Sequence, residues 1–125
     1  MTRRSTSQQR AIRGVIEAAG RPLSIHEINE LAADEVAGIG LSTVYRVVSR
    51  FLEDGVIAPV ALPGQPDRYE LAETAASHHH HFRCVSCDRV FDVYGCPGQI
   101  DRMVPDGFEL DSHEITLTGR CERCA

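Results

Sequence analysis

The chain has 125 residues, 42% of them hydrophobic, with six histidines and a formal net charge of -5. That length allows one ordinary domain, or two small ones that need help from a metal or a partner. No apolar run approaches the roughly 20 residues of a membrane span, and MTRRSTSQQR is not followed by an apolar leader core, so a cytoplasmic protein is expected.

The net acidity argues mildly against a nucleic-acid partner, but its distribution softens the objection. All thirteen basic residues are arginine, and Arg3, Arg4, Arg10 and Arg13 precede the first acid. Ala11, Ile12, Val15, Ile16 and Ala19 recur at helical spacing, and Gly20 and Pro22 end that helix. Ser24-Ile25-His26-Glu27 has the form of a capping box, predicting a second helix from about Ile25 to Glu35. After Gly38 and Gly40, Ser42 is placed to cap a third helix. Its inward stripe is Val44, Val47, Val48 and Phe51, which leaves Thr43, Arg46 and Arg50 facing outward. The period then changes: 56–62 and 68–71 are predicted strands, joined by a turn at Pro-Gly-Gln-Pro-Asp. Helix, helix, recognition helix and hairpin is the order of a winged helix-turn-helix, here over residues 1–72.

Residues 73–77, ETAAS, are small and polar and form the expected hinge. In 78–125, FRCVSC, RVFDVY and EITLTGRC are strand-like, with PGQIDRMV as a short helix between the second and third. Large apolar side chains are too few there for a core, so this small α/β domain is expected to rely on a metal and on pairing with a second copy. The fold class is therefore α+β.

Five cysteines in a reducing compartment suggest metal more than disulfides. Cys84-x-x-Cys87 and Cys121-x-x-Cys124 have the spacing of a closed tetrahedral Zn2+ site, a redox pair being the alternative. The run His78 to His81 needs separate treatment. On an extended chain neighbouring side chains point to opposite faces, so His79 and His81 would serve one site and His78 and His80 another. Neither His-Glu-x-x-His nor zinc-deaminase spacing is present, and a chain this small offers no evident cleft around Cys96, so enzymatic activity and a small organic substrate are not expected.

Together GIGLSTVYRVVSRFLEDGVI and HHHHFRCVSC followed by DSHEITLTGRCERC resemble the ferric uptake regulator family of metal-dependent repressors, over nearly the whole chain. The resemblance implies a homodimer that binds a palindromic double-stranded DNA operator when a regulatory divalent metal, Zn2+ or Fe2+, is held. It implies Tyr45 and Arg46 as DNA contacts, to which Arg10, Ser42, Thr43 and Arg50 are added as neighbours on the basic end and the outward helix face. Structural zinc falls on Cys84, Cys87, Cys121 and Cys124. Regulatory ligands fall on Glu70, His79, His81 and Asp92, and a second site on His78, His80 and His113. Two departures stand out. Pro22 occupies the place of a family histidine, and His26, one turn later, is the expected substitute ligand. Gln99 stands where a glutamate is usual, with Asp101 nearby. Cys96, beside Pro97, is the odd cysteine, a thiolate for the regulatory site or a haem-type Cys-Pro step. Zinc is slightly favoured over iron as the regulatory metal. A different class of protein also suits the acidic charge: a zinc-stabilised protein-interaction or metal-storage module that binds no DNA.

Overall fold

A computed structural model describes residues 3–125, with side chains from Ser7 onward; Met1 and Thr2 and the side chains of Arg3 and Arg4 lie outside the described residues. The chain divides into two units, Met1–Ser77 and His78–Ala125.

In the first unit α1 spans Arg3–Ala19, beginning before the apolar positions that predict it. Ala11, Ile12, Val15 and Ile16 are buried, and the helix stops where Gly20 takes φ +62°. The capping box forms as expected: Ser24 Oγ accepts from the Glu27 amide at 3.1 Å, and Glu27 Oε1 accepts from the Ser24 amide at 3.1 Å. α2, Ile25–Ala33, is shorter than predicted. Its final amides, of Asp34 and Glu35, bond to Leu31 and Ala32 three residues back, so the last turn tightens before Glu35.

α3 spans Leu41–Glu53 and buries Val44, Val47, Val48 and Phe51 against the other helices, as its apolar period requires. The expected cap is not the one used. Gly40 occupies the N-cap with an extended backbone and no side-chain bond, while Ser42 sits exposed inside the first turn. β1 (Ile57–Leu62) and β2 (Gln65–Leu71) pair antiparallel, Ile57 opposite Leu71 and Val60 opposite Arg68. β2 begins three residues before the predicted Arg68 because Gly64, at φ +69°, turns the chain more tightly than the Pro-Gly-Gln-Pro-Asp reading assumed. Leu23 and Tyr69 exchange backbone bonds of 2.9 and 2.8 Å, which ties the hairpin to the segment before α2. A second tie is ionic: Glu27 accepts from Arg21 at 2.6 Å and from the buried Arg68 at 3.4 Å. The expected hinge segment is partly helical, since α4 covers Ala72–Ala75.

The second unit is a three-stranded sheet in the order β4-β3-β5. β3 (His80–Cys84) lies at the centre, antiparallel to β4 (Val90–Val93) and parallel to β5 (Thr116–Gly119). The helix predicted over PGQIDRMV is only a 3-10 turn, Ile100–Met103. The buried apolar residues of this second unit are Cys84 and Val90 alone, whereas Tyr94, Met103, Phe108, Leu110 and Leu117 are exposed. So little buried apolar area cannot offset the conformational entropy of ordering nearly fifty residues. Other attachments must hold this unit, and its side chains supply ligand groups for them.

Candidate metal centres and the exposed face of α3

The four paired cysteines converge. Cys84 ends β3, Cys87 lies in a tight turn closed by the Asp88 amide, which donates to the Cys84 carbonyl at 2.9 Å, and Cys121 and Cys124 follow β5. Each offers a sulfur within 4.8 Å of the other three, and Cys87 Sγ lies 3.8 Å from Cys121 Sγ. A tetrahedral zinc with Zn–S of about 2.3 Å has S···S edges of about 3.8 Å, so the cluster fits that ion. The backbone prepares it for a cation. Amides of Cys87 and Cys121 each donate to Cys84 Sγ at 3.4 Å and pull that thiol down to about 6. Cys124, sharing protons with Cys121 and Cys84, is pushed up to about 12. Without a cation the cluster stabilises one thiolate and resists more; a dication reverses that resistance.

The histidine run divides between two groups. His78 and His80 join Cys96 and His113: Cys96 Sγ lies 3.4 Å from His78 Nε2, 3.3 Å from His80 Nε2 and 3.2 Å from His113 Nε2. His80 is buried, and its ring is held by the Ile115 amide, which donates to Nδ1 at 3.2 Å. Burial first, and then the neighbouring imidazoles, keep His80 below the ordinary histidine pKa, so its ring is neutral and open to a metal near neutral pH. Asp101, expected here from the sequence, is not in this group, and Gln99, expected with it, is engaged by another residue. Gln99 Oε1 accepts instead from Arg102 at 3.1 Å, and Asp101 is exposed. Cys96 is the fourth member of the group instead. The signal available in the sequence was an unpaired cysteine beside a proline, and nothing in the spacing tied it to the histidines.

His79 and His81 turn to Asp92, whose Oδ1 lies 3.3 Å from His79 Nε2 and 3.5 Å from His81 Nε2. β3 and β4 cause this directly, because their register sets His81 opposite Asp92. Two imidazoles and a carboxylate around a four-coordinate ion would stand about 3.3 Å apart, so these three also fit a divalent cation. Glu70 belongs to the first unit, where it is 4% exposed on β2 opposite Ala58. His26 is exposed in the first turn of α2 and joins no ligand group among the described residues.

On α3, burial of the apolar stripe leaves Ser42, Tyr45, Arg46 and Arg50 exposed and Thr43 half-buried. Tyr45 is 55% exposed, far more than a tyrosine kept for packing. Arg50 approaches Asp54 at only 4.0 Å with both side chains solvated, a pair worth little, so its charge remains available to an anion. Arg10 is exposed on α1.

A family model described as the Ferric uptake regulator family matches residues 1–118. Among curated relatives, the ferric uptake regulation protein of Bacillus subtilis (strain 168) is 28% identical over 124 residues, 95% of this chain and 83% of that protein. The ferric uptake regulation protein of Cupriavidus metallidurans is 32% identical over 106 residues, 82% of this chain and 73% of that one. The structure of a zinc-bound manganese uptake regulator superposes with a TM-score of 0.78 at 27% identity, covering 97% of this chain and 89% of that one.

Proposed function

This chain belongs to the ferric uptake regulator family, and from that premise we propose that it is a homodimeric repressor that binds a palindromic DNA operator when a divalent cation is bound. Members of the family are metal-responsive transcriptional regulators, not enzymes, and that much holds for this chain as a member.

The observation that carries the finer reading is Asp92 Oδ1 within 3.5 Å of both His79 and His81, in a chain whose α3 exposes Tyr45 and Arg46. His79, His81 and Asp92 would hold the regulatory cation, with Glu70 and His26 of the first unit as the candidates for completing its shell. Cys84, Cys87, Cys121 and Cys124 would hold a structural Zn2+, and His78, His80 and His113 a further cation. A cation shared by ligands on either side of 73–77 fixes the separation of two recognition helices in a dimer, and operator half-sites one helical turn apart require a fixed separation. Tyr45 would meet sugars or thymine methyls, and Arg46 a phosphate or base edge, with Arg10, Ser42, Thr43 and Arg50 on the flanking backbone. The donor spacing of about 3.3 Å suits a four-coordinate ion, which favours zinc over iron as the regulatory metal. The coordination preferences of Fe2+ make it the second choice.

Gel-shift titration of genomic fragments, with metal and with chelator, tests the proposal. Coupling of about 1 to 3 kcal/mol would change DNA affinity about 5- to 150-fold. The double substitution His79→Ala/His81→Ala is expected to abolish that response while leaving weak, salt-sensitive DNA binding. DNA affinity indifferent to metal in the unmodified protein would instead favour a metal-storage or protein-interaction role, and a stronger response to Fe2+ than to Zn2+ would reverse the metal preference.

A further inference from the structure

Cys96 lies outside both Cys-x-x-Cys pairs, yet three imidazole nitrogens stand 3.2 to 3.4 Å from its sulfur. A thiol is a weak donor and acceptor, which is a poor reason for three imidazoles to gather around it. A cation at the centre of the four atoms is a sufficient one. With Zn–N of about 2.0 to 2.1 Å and Zn–S of about 2.3 Å, a tetrahedral ion has N···S edges of about 3.6 Å. The observed separations fall just inside that figure. His80 is only 3% exposed and is held by the Ile115 amide, so this is a built arrangement and not a meeting of loose surface side chains. With Nδ1 accepting from Ile115, the neutral ring carries its proton on Nε2, so loading a cation there displaces that proton. The oxygen donors expected nearby are turned elsewhere, Gln99 to Arg102 and Asp101 to solvent.

We propose that Cys96 is the fourth ligand of this centre, and that its thiolate makes the centre select zinc over Mn2+ and Fe2+. Four protein ligands close a tetrahedral shell, and a soft sulfur donor disfavours the harder ions. A carboxylate in the same position would admit them. The inference rests on reading the His78, His80 and His113 group as a cation site, and on nothing about DNA.

The test uses the full chain with zinc kept in the four-cysteine cluster, in a His79→Ala/His81→Ala background, titrated with Co2+ and then competed with Zn2+ and Mn2+. Sulfur-to-cobalt charge-transfer absorption is expected at one cobalt per chain. Cys96→Ser should remove that band and weaken cobalt binding more than about 10-fold, the lower end of what even supporting groups around a metal contribute. Cys96→Asp should still bind an ion but lower the preference for Zn2+ over Mn2+ by more than about 10-fold. One retained zinc per chain and an unchanged far-ultraviolet circular dichroism spectrum establish that each variant is folded. An unchanged band and affinity in Cys96→Ser would overturn Cys96 as a ligand. Absence of any cobalt beyond the cysteine cluster would overturn the cation site itself, while leaving the metal-dependent DNA response to stand or fall on its own gel-shift result.

Discussion

At the scale of single residues, the roles set by local backbone geometry were legible and those set by distant chain were not. Ser24 and Glu27 announce their capping box in four letters, and both reciprocal bonds form at 3.1 Å. Replacing Ser24 with alanine should therefore destabilise the protein by about 1 kcal/mol, read as a lower urea midpoint at unchanged slope. Asp92 was named only through the family resemblance; the strand register that sets it opposite His81 is a pairing its own neighbours in the chain do not encode. Cys96 was missed as a companion of His113 because their meeting depends on where a loop after β4 returns, which periodicity does not encode. Ser42 failed as a cap for a plainer reason: the chain entered α3 two residues earlier, and Gly40 already had the extended backbone an N-cap needs.

At the scale of elements, apolar period identified the three helices and the hairpin, and the errors lie at ends. α2 closes early through a tightened last turn, while β2 starts early because a glycine folds the connection at Gly64. That turn has a measurable weight. Gly64→Ala forces a side chain into φ +69°, with no steric contact to blame, and should cost about 1 kcal/mol in chemical denaturation. Local opening should increase most in the hairpin, visible as faster amide exchange across β1 and β2. The helix predicted over PGQIDRMV shrank to one 3-10 turn because, with Ile100 and Val104 only half-buried and Met103 exposed, there is little apolar stripe to bury.

At the scale of the molecule, the two units have unequal means of support. The first encloses a continuous apolar core from Ile12 to Ile57, and the second buries only Cys84 and Val90 among its apolar residues. Removing the zinc proposed for the four-cysteine cluster, with a strong chelator or through Cys84→Ser, should therefore unfold His78–Ala125 while α1, α2 and α3 persist. Circular dichroism would retain most of its helical signal, and amide exchange would lose protection in β3, β4 and β5 alone. A single cooperative collapse of both units would contradict this. The need for outside support in the second half was readable from its shortage of large apolar residues, and strand alternation separated His78 and His80 from His79 and His81, whereas the place of Cys96 beside His113 was not readable.

The strand at the middle of that second unit has a further consequence. His78 to His81 hand alternate imidazoles to two different groups, so the assignment of ligands depends on parity along the backbone, not on identity: all four letters are the same. Deleting one of them would leave a sequence almost unchanged to the eye, yet on the pleat every histidine before the deletion would trade sides. The run is thus a counted object, and its length is as much a part of the chemistry as its composition.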